Sequence, residues 1–141
     1  MRLRSCFSRY VRYLLCSCAC SVLTFFINSN MLINKSRIWI ISAALFLIYN
    51  IVDSYIFGRY FGKRRHIKYG IVYPYALFML TTYIGHFAIK SARWRYFFLP
   101  FGVFCNYGFS RLLSMSIVHL ATLVLLFVCA KIGQIGFYKN E

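Results

Sequence analysis

YNIVDSYIFGRYFGKRRHIKY, residues Tyr49 to Tyr69, closes one apolar run and carries the only acidic side chain ahead of the C-terminal residue. It then supplies Arg59, Lys63, Arg64, Arg65, His66 and Lys68, and a second apolar run follows at once. About 20 apolar residues cross a hydrocarbon core of ~30 Å, while Lys and Arg collect in the flanking segments. The stretch therefore reads as a membrane helix leaving the bilayer, a basic cytoplasmic loop over 58–68, and the next helix returning.

Composition points the same way. The 141 residues are 61% hydrophobic and only 13% charged, and the mean hydropathy is +0.64. A water-soluble domain carries about 25% charged residues, so too little polar surface exists here to cover a soluble globule. The charge is one-sided: 17 Lys and Arg against Asp53 and Glu141, a net +15. Such a balance first suggests nucleic acid. The cations cluster between apolar runs rather than along one soluble face, so anionic lipid is the expected partner and nucleic acid is not.

Working outward, the fold expected is an all-α integral membrane protein forming one polytopic domain over 1–141. Four transmembrane helices are placed at about 13–33, 38–57, 69–89 and 112–130. Residues 1–12 hold four arginines, which fits an uncleaved first span; a secretory signal and a mitochondrial transit peptide are the other readings of that start. Residues 96–130 are too long for one helix and cramped for two, and Pro100 and Gly102 sit early in them. A short interfacial or re-entrant helix near 97–109 is expected there, with five spans as the alternative. Four spans and a cytoplasmic N-terminus put 11 cations inside: Arg2, Arg4, Arg9, Arg12, Arg59, Lys63, Arg64, Arg65, Lys68, Lys131 and Lys139. Six lie outside: Lys35, Arg37, Lys90, Arg93, Arg95 and Arg111. That bias predicts a multi-pass protein of a bacterial inner membrane with both termini cytoplasmic.

Asp53 is the most informative residue, because a carboxylate inside a span is costly and tends to mark function or a partner. Helical spacing groups Ser42, Phe46, Tyr49, Asn50, Asp53 and Tyr60 roughly on one side. Arg12, Lys68 and Lys131 are the cations at matching depth. A structural pair with one of them is the first reading of Asp53; a transport or binding role, with Tyr49, Asn50, Asp53, Arg64 and Arg65 as the binding set, is the second. Arg64 and Arg65 would engage phosphate. Cys16, Cys18 and Cys20 cannot converge on one metal from a helix, and His66, His86 and His119 fall at different depths, so no metal and no cofactor are expected. Cys6 beside basic residues is a candidate for acylation. Gly58-x-x-x-Gly62 has a close-packing spacing. With no carboxylate pair, no phosphate-binding glycine loop and no nucleophile elbow, an enzyme is not expected.

Arg9-Tyr10 and Lys68-Tyr69 open the first and third runs, and polar-aromatic-basic endings occur twice, as DSYIFGRYF over Asp53 to Phe61 and NYGFSR over Asn106 to Arg111. This pattern, within residues 8–111, resembles the GtrA-like family of small four-span membrane proteins. That family's helix endings read roughly Asn-Phe-x-x-Asn/Ser-Arg, matched here by Asn106, Tyr107, Ser110 and Arg111. The apolar run Leu112 to Ala130 continues past the point where the family stops. The resemblance implies flipping of a lipid-linked sugar across the membrane.

Two functions from different classes are thus expected. The first is a non-catalytic accessory, regulatory or immunity-type protein that binds another membrane protein or a second copy of itself. The alternative is a translocase or transporter subunit for an anionic lipid-linked substrate.

Overall fold

The computed structural model describes residues 2–30, 35–61, 67–88 and 111–138. Among them every element is helical: α1 (Arg2–Asn30), α2 (Lys35–Phe61), a π-helical turn (Lys68–Val72) running directly into α3 (Tyr73–Ala88), and α4 (Arg111–Tyr138). Two stretches, Ile40–Tyr60 and Met115–Gly136, are long and apolar enough to cross a membrane. The short interfacial or re-entrant helix expected near 97–109 lies outside the described residues.

The side-chain pairings set the directions of the helices. Phe46 stacks on Phe78, with ring centroids 5.6 Å apart, and Phe57 lies against Gly70, so α2 and α3 run antiparallel. Arg9 meets Asp53, and Cys16 meets Asn50, so α1 is antiparallel to α2. Tyr83 bonds Ser116 and Tyr75 bonds His119, so α4 is antiparallel to α3 and therefore parallel to α2.

α2 and α4 approach most closely. A Cβ on Gly58 would strike the backbone of Ala130, and one on Gly133 would strike the Tyr55 carbonyl. Residues without bulk are what allow two helix backbones to touch in this way. Gly58 thus has the packing role its spacing suggested, while Gly62 lies outside the described residues.

The centre is aromatic. Tyr13 meets Tyr75 edge-on at 5.5 Å and 89°, and Phe46, Tyr75 and Phe78 are fully buried around it. Such ring pairs contribute about 0.5–1.5 kcal/mol beyond their buried area. Polar groups are buried with them: Arg9, Ser17, Ser42, Asn50, Ser54, Thr82, His119 and Gln134. Large aliphatic side chains face outward instead, among them Ile48, Val52 and Ile56 on α2 and Ile117, Leu120, Val124 and Ile132 on α4. A soluble bundle shows the opposite distribution.

Candidate functional site

The polar centre of the bundle is built around Asp53. Arg9 on α1 places Nη2 2.5 Å from Asp53 Oδ2, and the same nitrogen donates to the Asp53 carbonyl at 3.2 Å. Its Nη1 donates to the Gly70 carbonyl at 3.1 Å, and the guanidinium lies over the Phe57 ring, 4.0 Å from its centroid. One side chain therefore ties α1 to α2 and to the start of α3. Its own exposure is 7%, against 19% for Asp53. Arg12, one turn further along α1, is 3.6 Å from Asp53 Oδ1 and 57% exposed.

The backbone explains why Gly70 can serve Arg9. In an α-helix the N–H of residue 74 would donate to the carbonyl of residue 70, but residue 74 is proline and has no N–H. The turn ahead of it opens into π geometry, with the Tyr73 N–H reaching the Lys68 carbonyl. The Gly70 carbonyl, lacking its helical donor, accepts from Arg9. Gly70 is also the residue that admits the Phe57 ring, since a Cβ there would collide with it. Phe57 is thus held between the guanidinium and the turn.

Of the three cations that sequence placed near Asp53, Arg12 is the one within ion-pair distance. Among the described residues, Lys68 and Lys131 make no ion pair with it; Lys131 instead reaches Gln134 at 3.5 Å. The principal partner, Arg9, belongs in the sequence to the basic N-terminal flank. Its signal was available: Arg9, Tyr13, Ser17 and Ser21 recur every four residues and form the buried stripe of α1.

Of the five residues named as a binding set, Tyr49, Asn50 and Asp53 lie among the described residues, on one turn of α2. Asn50 is buried, donating to the Phe46 carbonyl at 2.7 Å and to Cys16 Sγ at 3.8 Å. Asp53 is half-buried within its arginine pair. Tyr49 points outward. Arg64 and Arg65 lie outside the described residues. The inward stripe of α2 is Ser42, Phe46, Asn50 and Ser54, and Tyr49 and Tyr60 fall off it.

A second polar centre joins α3 to α4. His119 is buried, with Nδ1 3.1 Å from the Tyr75 hydroxyl and Nε2 3.2 Å from Thr82 Oγ1. Thr82 spends its one proton on the Met79 carbonyl at 2.7 Å, so towards His119 it accepts. This assigns the proton to Nε2 and makes Nδ1 the acceptor of the Tyr75 hydroxyl. Tyr83 and Ser116 bond 2.5 Å apart one turn away. His119 therefore fastens two helices through hydroxyl partners.

No set of three or more His, Cys, Asp or Glu that could hold a metal occurs among the described residues. The described cysteines form no disulfide with one another, and partial burial pushes the Cys6 thiol above its ordinary pKa. The arrangement binds helices to one another through charge and hydrogen bonds, and it leaves Arg12 and Tyr49 at the surface beside a buried ion pair. No protein-family profile, no curated protein and no solved structure matches this chain.

Proposed function

We propose that this chain is a multi-pass membrane bundle, its termini cytoplasmic in a bacterial inner membrane, which acts without catalysis by binding another membrane protein. The observation that carries the reading is its inside-out distribution of side chains. Asp53, Asn50 and His119 spend their polar groups on partners within the bundle, while large aliphatic side chains of α2 and α4 face outward. On α4 that surface is an open apolar face that includes Ser116, Ile117, Leu120, Ala121, Val124 and Val128. Small residues such as Ser116 and Ala121 let a second apolar helix approach closely, which is how helices associate in lipid, where no hydrophobic force separates them from the acyl chains. The occupant proposed is a transmembrane helix of a partner protein.

The test is purification from membranes in mild detergent, comparing the native chain with Ala121→Phe. One protein recovered in stoichiometric amount with the native chain, and lost with the variant, supports the reading. Equal recovery of that protein with both, or no stoichiometric protein with either, sinks it.

A second reading is a translocase for an anionic lipid-linked substrate, as the GtrA-like resemblance implies. It is favoured by the half-buried carboxylate between two arginines. It expects Asp53→Asn to abolish transport at normal protein level, and full transport in that variant would remove Asp53 from the mechanism.

A further inference from the structure

The charges around Asp53 do not balance. Two guanidiniums, Arg9 and Arg12, face one carboxylate, and Arg9 already takes its Oδ2. Arg12 stands at ion-pair distance from Oδ1 but beyond hydrogen-bonding range, and it makes no hydrogen bond among the described residues. A guanidinium carries five donors in a planar fork, and an unneutralised charge beside a low-dielectric interior attracts an anion strongly.

Position selects the kind of anion. Asp53 lies seven residues before Tyr60, the end of the apolar stretch of α2, or ~10 Å at 1.5 Å per residue. Arg12 sits at the same level on α1 and is more than half exposed, so its flexible stem can carry the charge outward to the headgroups. Tyr49 precedes Asp53 by one helical turn on the same flank of α2, is also exposed, and lies within electrostatic reach of Arg9. A guanidinium fork on α1 and a phenol hydroxyl on α2 are therefore both exposed near Asp53. Both donate to oxygen, and the net charge of the cluster is positive.

We propose that the exposed α1–α2 face at Asp53 binds the phosphate of an anionic phospholipid, held by the Arg12 fork and the Tyr49 hydroxyl beside the Arg9–Asp53 pair. The site rests on the membrane reading and goes beyond it, because it assigns one lipid to one place rather than a diffuse collar to the whole basic end. Arg12, not Arg64 or Arg65, is then the selecting residue.

The experiment is native mass spectrometry of the full chain purified in detergent, after exchange into mixed micelles of phosphatidylcholine and phosphatidylglycerol. The expected result is one retained phosphatidylglycerol per native chain, lost in Arg12→Gln, reduced in Tyr49→Phe, and kept in Arg4→Gln, which removes an exposed cation without touching the cluster. Retention unchanged in Arg12→Gln overturns the proposal, as does equal retention of the two lipids. Displacement of the bound lipid by inorganic phosphate alone would reassign the site to free phosphate and overturn the lipid assignment. Alkaline extraction of membranes from the same cells reads insertion separately: a chain that resists extraction yet retains no lipid fails here while the membrane reading stands.

Discussion

Removing the carboxylate of Asp53 should cost more stability than any other single change to a polar group, and the reason is what it leaves behind. Arg9 is 7% exposed and cannot reach water when its partner is gone. Breaking a buried pair from one side costs about 3–5 kcal/mol, because the remaining charge is uncompensated. Arg9 keeps the Gly70 carbonyl and the face of Phe57 in Asp53→Ala, and Asp53 itself is partly exposed, which places the expectation at the lower end. A loss of about 3 kcal/mol lowers the ratio of folded to unfolded chain by roughly a hundredfold. Replacing both partners, as in Arg9→Met with Asp53→Leu, removes the charge and the need for it together; such swaps are often neutral or stabilising. The assay is equilibrium unfolding from mild detergent micelles by added SDS, followed by helical circular dichroism. An Asp53→Ala protein within about 0.5 kcal/mol of the native chain, the range of ordinary surface changes, would refute the reasoning. So would a double variant no more stable than the single one.

Further outcomes follow from the packing. Gly133→Leu should push α2 and α4 apart at Tyr55 and lower stability by about 1–3 kcal/mol or more, whereas Gly136→Leu, where nothing stands nearby, should be silent in the same unfolding assay. Phe46→Ala, emptying a fully buried site, should cost about 3–5 kcal/mol, while Tyr49→Ala should stay within about 0.5 kcal/mol. Pro74→Ala restores a helical donor to the Gly70 carbonyl and so competes with Arg9. In a cycle with Arg9→Met the coupling should fall in the range of about 0.5–3 kcal/mol, and strict additivity would show that Pro74 does not free that carbonyl.

Much of the architecture was legible because apolar runs and basic interruptions report helices directly. Asp53 was legible as a residue needing a partner, since one carboxylate in an apolar run has few explanations. Arg9 was not, because it lies four residues ahead of the first apolar run, and the helix that begins at Arg2 carries it inward. Reading α1 by steps of four from Tyr13 would have found it. Spacing alone groups Tyr49 with the inward face, yet one residue of rotation separates it from Asn50. Sequence spacing tests His119 only as a metal ligand. Its actual partners, Tyr75 and Thr82, are hydroxyls that no ligand-spacing rule seeks. The role of Gly70 was written in the sequence as a proline four residues later, but nothing marked Arg9 as the donor until the helices were set side by side.

The distance along the chain between Arg9 and Asp53 has a meaning for biogenesis. The two residues are 44 positions apart, so during synthesis α1 emerges with a cation whose counter-charge is still inside the ribosome. A lone arginine resists transfer into hydrocarbon. On the multi-pass reading proposed above, α1 should linger at the translocon until α2 arrives, and the two helices would leave as a hairpin already joined. The ion pair that holds the finished bundle would then also set the timing of its release into the membrane.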